Sequence, residues 1–444
     1  MRLIDRHRPA RRLAAALACA PIVLMCLAGP VAAASVSFGT PSAVSHFGQD
    51  IVFTQPYSGA TIKSASILIS IPNDSVTLPG IVGPEVAALS SVGSSSLTFS
   101  LDTSGALVSP FSPVVGQFEV VLQDGTTVDG PKIDVTYDDD RFTWKIKTGT
   151  VVRLHYIQAS DSFAQQMLKL ADEGVSKAAA MFGVTETQPI DYYVYPSQSA
   201  FQDGLSEPGT VGGVALPSYR ACFAVVAPGD GNYAAQVMPH EPTHIVFSDA
   251  TKNPYHERPR WLNEGFAQYI AQGYDPDSRS TVTQSAGNGT MPSLLALTNY
   301  FPLDSTRIYL AYAESVAAVD LMVSKYGKPD ILKLVHAYAT GSSDDQAFQA
   351  AFGMDVTAFD AAFMAANNAT ATKYGPKPEA TSPPGGAVAP SGTTPPTGTS
   401  GQSAPSSPQN HAPIYLLAGV MAVLGVVLMG VALAMVVSAR GRAA

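Results

Sequence analysis

The chain has 444 residues, 46% of them hydrophobic and only 14% charged, with a formal net charge of −9. That acidic balance argues against a nucleic-acid reader, which needs a basic face to meet phosphate. Only three Cys occur, too few for a disulfide framework.

Residues 1–34 read as a secretory signal. Arg2, Arg6, Arg8, Arg11 and Arg12 precede an apolar run over 13–28, and Ala32-Ala33-Ala34 offers a small-x-small cleavage site before Ser35. A signal anchor is the alternative. Cys26 follows Leu24-Met25, not the small residue that lipidation needs. Removing the segment's five Arg and one Asp takes the net charge from −9 to −13, and with Cys19 and Cys26 gone only Cys222 remains. Cys222 reads as a buried, inert strand residue.

Residues 35–143 look all-β. Alternation runs through Ser64-Ala65-Ser66-Ile67-Leu68-Ile69-Ser70-Ile71, and a hairpin is expected to turn at Asp124-Gly125. Short strands with Gly, Pro and Ser between them suggest an Ig-like sandwich of around seven strands. His46 reads as a surface residue, and Asp138-Asp139-Asp140 as a solvated connection without calcium-loop spacing. The module is expected to be a spacer or binding domain.

A second domain is expected over 144–373. Val151 to Tyr156 and Ile190 to Tyr195 read as strands, with an amphipathic helix over 161–181 between them that carries Phe163, Met167, Leu168, Leu170, Val175 and Ala178 near one face. His155 reads as a packed histidine. A helix around 198–205 follows, and then two strands at Gly212-Gly213-Val214-Ala215 and Ala221 to Val226.

Next comes His240-Glu241-Pro242-Thr243-His244, followed by Trp261-Leu262-Asn263-Glu264-Gly265. Helical positions i and i+4 share a face, so His240 and His244 can offer two imidazoles to one metal ion. Zinc takes neutral His nitrogens and carboxylate oxygens, and a catalytic zinc keeps one position open. Glu241, beside the first His, is placed to take a proton from water there. Glu264 supplies a third ligand if a second helix carries it past the first. With 8 His and 10 Glu in 444 residues, chance supplies only roughly 0.003 such five-residue matches.

These two motifs resemble the gluzincin metallopeptidases, the thermolysin and aminopeptidase N group, and more closely the bacterial secreted proteins with a peptidase MA-like domain. The resemblance runs over about 151–363. It implies an α+β, thermolysin-like domain that holds Zn2+ through His240, His244 and Glu264 and hydrolyses peptide bonds with Glu241 as general base. It also implies that the strand near Gly212-Gly213 pairs with substrate backbone, although a plain Gly-rich turn fits as well. Two residues depart from the family's pattern. Pro242 predicts a helix that starts late, near Pro239, or kinks. Gln268 stands where an Asp usually holds a ligand His by its other nitrogen, a bond a Gln carbonyl can also accept. No Gly-x-Met-Glu-Asn signature for a free amino terminus is present, which favours an endopeptidase.

A loop is expected after about Ala271, with Pro276, Gly287 and Gly289, and then a helix entered at Tyr309 and running to about Tyr326. The resemblance places a Tyr of this helix near the site. Tyr312 is the candidate donor to the oxyanion and Tyr309 its rival; both also fit as core aromatics. His256, Glu257 and His336 are weaker site candidates. Helical segments over 330–338 and 347–363 complete the domain.

From 374 to 413 Pro, Gly, Ser and Thr dominate, as in a disordered stalk. Residues 414–437 are 24 uncharged positions, enough for one membrane span, and Arg440 and Arg442 suit a cytoplasmic tail over 438–444. The chain thus reads as a multidomain, single-pass cell-membrane protein with a zinc metallopeptidase outside the cytoplasm and a peptide or protein as substrate. The alternative is a catalytically weak gluzincin-fold surface protein used for binding or adhesion.

Overall fold

The computed structural model describes residues 35–371 apart from 74–79, 82–84, 105–107, 206–211 and 303–304. The expected signal, stalk, membrane span and tail lie outside the described residues. Among the described residues no helix is long and apolar enough to cross a membrane.

Period-two burial organises the N-terminal part. In one antiparallel sheet β3 (Asp50–Gly59) pairs with β1 (Val36–Phe38), β2 (Ser42–His46) and β8 (Ser96–Asp102). The other has the order β10 (Thr127–Thr136), β9 (Pro113–Leu122), β4 (Ile62–Ser70), β7 (Glu85–Ala88). A two-stranded ribbon joins β5 (Pro72–Asn73) to β6 (Gly80–Ile81). Both larger sheets turn alternate residues into one core, Ile51 and Phe53 from β3 meeting Ala65, Ile67, Ile69, Phe118 and Val120. Gly116 is required there, since a Cβ would come within 2.7 Å of the Phe53 ring. The hairpin turns where expected: Gly125 has φ +88°, and the Asp124 carboxylate accepts from Thr126 N–H at 2.9 Å. The two sheets hold eight strands, against the seven or so expected.

The second part is built on a five-stranded sheet of order β11 (Lys145–Thr148), β12 (Val152–Tyr156), β13 (Ile190–Tyr195), β15 (Ala221–Val225), β14 (Gly213–Leu216). Its middle strands are parallel and its two outer strands antiparallel. Alternation again decides what each face meets. Leu154, Tyr192, Val194 and Cys222 pack on α1 (Asp161–Phe182) and α3 (Gly231–Ala250). Tyr193, Tyr195, Val214 and Phe223 face α2 (Gln198–Leu205) on the other side. Cys222 is fully buried, as expected, and burial pushes its thiol well up.

Beyond α3 come α4 (Arg260–Gln272), α5 (Pro276–Asn288), α6 (Ser305–Lys325), α7 (Lys328–Ala339), α8 (Asp344–Phe352) and α9 (Val356–Ala366). The region read as a loop after about Ala271 is corrected: it contains α5. Asp275 caps that helix by accepting from the N–H groups of Asp277 and Ser278, Pro276 occupies its first turn, and Gly289 closes it at φ +66°.

The two parts meet in an aromatic seam. Phe111, in the β8–β9 connection, stacks on Tyr193 with ring centroids 3.7 Å apart and packs edge-on against Trp144. In the acidic run beside it Asp138 and Asp140 are exposed, as expected of a solvated connection, but Asp139 is not. Asp139 is buried, gripped by Arg141 through Nε at 2.8 Å and Nη2 at 2.7 Å, and accepts from the Tyr195 hydroxyl at 2.9 Å. A buried carboxylate needs such partners, and the aromatic packing that excludes water here makes Asp139 the anchor of the connection.

Candidate active site

Helix α3 carries the His-Glu-x-x-His motif and neither starts late nor breaks at its prolines. It begins at Gly231, where the Asp230 carboxylate accepts from Tyr233 N–H at 3.0 Å, and continues through Pro239 and Pro242 to Ala250. The expected late start is therefore corrected, and tertiary packing gives the reason. Pro239 and Pro242 remove the N–H groups that would bond to the carbonyls of Ala235 and Met238. Tyr192 of β13 donates its hydroxyl to the neighbouring Val237 carbonyl at 3.0 Å. Against Pro239, α1 presents Gly174, where a Cβ would lie 2.5 Å from the proline Cα. The buried helix is thus clamped from both sides.

His240 and His244 project together, their ring centroids 4.9 Å apart. Helix α4 brings Glu264 to them, its Oε2 lying 3.5 Å from His240 Nε2 and 3.7 Å from His244 Nε2. One ligand atom from each of the three lies within 4.8 Å of the others. Glu264 Oε2 is buried and has no hydrogen-bond partner in the protein. A buried carboxylate oxygen facing two imidazole nitrogens fits a bound cation, and two His nitrogens with one carboxylate oxygen form the donor set of a zinc site with a position left open.

The protonation of His244 agrees with that use. Burial pushes His244 down to about 4, so its ring is neutral and has a lone pair to offer. Burial also opposes charge on His240 and Glu264, but their attraction across 3.5 Å wins, raising the imidazole and lowering the carboxyl. His244 is oriented by Asn263, whose Oδ1 lies 3.0 Å from Nδ1 and accepts from it, leaving Nε2 to face Glu264. The outer partner of this ligand is therefore Asn263, while Gln268 is buried further along α4.

Glu241 is buried, and burial pushes its carboxyl up to about 7. It lies against the edge strand β14: a Cβ on Gly213 would come within 2.4 Å of Glu241 Oε1. Only glycine admits the carboxyl so close to the backbone there.

Tyr312 of α6 is buried beside this cluster, hydrogen-bonded to Arg260 and within the field of Glu264 and Glu241. Its ring packs edge-on against Phe301 at 5.1 Å. Burial alone raises Tyr309, to about 12, with no contribution from a charged group of the site. Position thus separates the two rivals. The remaining histidines with described partners lie elsewhere. His155 bonds Asp191 at 2.7 Å and stacks on Tyr193, as expected of a packed residue, and His46 pairs with Asp50 at the surface. Asn253 donates to the backbone carbonyl of His256 in a turn, and His336 occupies the last turn of α7.

Two members of the cluster escaped the sequence reading. Arg260 had a usable signal, since it sits four residues before Glu264 on one helix. Asn263 had none, because only the crossing of α3 and α4 brings it to His244.

A family model described as the Peptidase MA superfamily matches residues 170–368. No curated protein matches the chain. Among solved structures, an aminopeptidase N family protein from Idiomarina loihiensis is similar at 11% identity and a TM-score of 0.38, over 77% of this chain and 76% of that one. An M1 zinc metallopeptidase from Deinococcus radiodurans is similar at 12% identity and a TM-score of 0.35, over 74% of this chain and 94% of that one. At such TM-scores the superpositions carry no weight beside the family match and the cluster itself. Residues 170–368, which hold His240, Glu241, His244 and Glu264 on two crossing helices, match the model of the Peptidase MA superfamily.

Proposed function

We propose that this chain is a zinc-dependent endopeptidase that works outside the cytoplasm, held at the membrane by residues 414–437. The observation that carries the catalytic reading is the partnerless Glu264 Oε2 facing His240 and His244, with Glu241 close by. The anchored placement is supported by the sequence, which puts 24 uncharged residues before Arg440 and Arg442.

His240 and His244 would bind the metal through Nε2, and Glu264 through Oε2. Zinc in such a site lowers the pKa of water and polarises a carbonyl. Glu241 takes a proton from the attacking water, whose oxygen bonds to the scissile carbonyl carbon. As the C–N bond breaks, Glu241 returns that proton to the leaving nitrogen. A carboxyl raised by burial to about 7 suits both halves of this transfer near neutral pH. Tyr312 donates its phenolic hydrogen to the developing oxyanion. The outer edge of β14 pairs with an extended substrate beside Glu241. Its sequence, Gly213-Val214-Ala215-Leu216, offers no carboxylate for a free amino terminus, in keeping with cleavage inside a chain.

The test uses peptides blocked by acetyl and amide groups, incubated with the full-length chain and read by mass spectrometry. Internal cleavage that a chelator abolishes and zinc restores is expected. Cleavage confined to unblocked peptides, one residue at a time from the amino end, would make the chain an aminopeptidase. No cleavage of either kind would overturn the peptidase reading.

A further inference from the structure

The two oxygens of Glu264 have different surroundings. Oε2 faces the imidazoles, whereas Oε1 faces Arg260, whose Nη2 lies 3.6 Å away. Arg260 precedes Glu264 by one helical turn on α4, so its side chain shares that face. Its guanidinium is itself held in place. It lies over the Phe301 ring, 4.9 Å from the centroid, and bonds the Tyr312 side chain. Its Nε and Nη2 are buried without a hydrogen-bond partner in the protein, so donors remain for Glu264 Oε1. The Arg260 backbone N–H donates to the Thr298 carbonyl at 2.7 Å, which ties the start of α4 to the segment carrying Phe301.

We propose that Arg260 is a positioning residue that turns Glu264 so that Oε2 alone is presented as a metal ligand. The proposal rests on the zinc reading of the cluster and not on peptide turnover. The planar guanidinium, pinned by Phe301 and Tyr312, offers a fixed donor edge to Oε1 and prevents the carboxylate from swinging both oxygens toward the cation. Outer partners of this kind hold ligands in the orientation the metal needs.

Electrostatics alone predicts the opposite sign. A guanidinium beside a ligand repels a divalent cation, so deleting it should tighten zinc binding if charge were all that mattered. Deleting a positioning group should loosen it. The sign of the change therefore decides between the two.

The experiment measures zinc affinity of the full-length chain by competition with a chromophoric chelator, with the thermal midpoint of each metal-free protein as the control on folding. Arg260→Met is expected to weaken zinc binding by about 10- to 100-fold at an unchanged metal-free midpoint. Arg260→Lys keeps the charge but lacks the planar fork, and is expected to fall between Arg260→Met and the parent. Unchanged or tighter binding in Arg260→Met overturns the proposal. Should that variant fail to fold, Arg260→Lys decides, and parental affinity there overturns it equally. Because no substrate enters the measurement, a chain that binds zinc yet cleaves no peptide leaves an Arg260 effect standing and removes only the peptidase reading. A parent that binds no zinc contradicts both.

Discussion

The five-stranded sheet has two faces, and they are built from different materials. One carries α1 and α3 and, beyond them, a small polar cluster set in apolar packing. The other carries an aromatic seam in which Phe111 of the N-terminal sandwich stacks on Tyr193 of the sheet. The cluster is compact in sequence, with two His one helical turn apart and a Glu on the next helix. The seam gathers side chains from positions 111, 142, 144, 193, 195 and 223. Chemistry here is a local property of two helices, whereas stability is shared across the whole described chain. The sandwich is thus part of the peptidase's own support.

The largest expected effect breaks the polar face alone. Glu264→Ala should reduce zinc affinity by more than about 100-fold, beyond the range for outer partners, while leaving cooperative unfolding of the metal-free protein in place. Metal analysis and thermal melting of the same samples check both halves. Phe111→Ala breaks the other face. It should destabilise the protein by about 3 kcal/mol in urea unfolding without changing zinc affinity of the folded chain. The stack also holds Phe111 at φ +62°, a conformation unfavourable for an aromatic residue. Two separate unfolding transitions in the parent, with only the first moved by the substitution, would mean that the seam does not couple the two parts.

Gly213→Ala sharpens the comparison at the edge strand. The new Cβ would sit 2.4 Å from Glu241 Oε1, so the carboxyl must move. Turnover should fall by roughly 100-fold with zinc content unchanged, measured on a blocked peptide.

A pH-dependent effect concerns Glu314 of α6, fully buried, whose two carboxyl oxygens have no hydrogen-bond partner. Burial pushes it up to about 10, and Asp360 adds to the rise. The folded protein therefore keeps this proton while the unfolded chain loses it above about pH 4.3. Stability must fall as pH rises from there toward about 10, by at most roughly 1.4 kcal/mol per pH unit. Glu314→Gln removes that slope, so its thermal midpoint should exceed the parent's at pH 8 and converge with it near pH 4. A difference independent of pH would refute the assignment.

What could be read from the sequence follows the same division. Strand alternation placed β4, and the His and Glu spacings named the cluster, because both depend on periodicity along the chain. Local rules failed where distant packing overrides them. Pro242 argues against a continuous helix, yet Gly174 and Tyr192, both far away in sequence, hold the turn of α3 just before it, at Pro239 and Val237. Asp139 looks solvated in an acidic run until Arg141 and Tyr195 close over it. Asp275-Pro276 and Gly289 mark the ends of helix α5 in the sequence, although its glycines fit a loop equally well. Asn263 and the Phe301–Arg260–Tyr312 arrangement required the crossing helices themselves.

The most direct test of the central claim compares zinc-loaded parent with Glu241→Gln at matched zinc content on one blocked peptide. The account predicts that metal content stays the same and that hydrolysis falls by about 100- to 10,000-fold. Hydrolysis by the Gln variant at the parental rate would contradict it, because Glu241 would then not be the group that moves the proton.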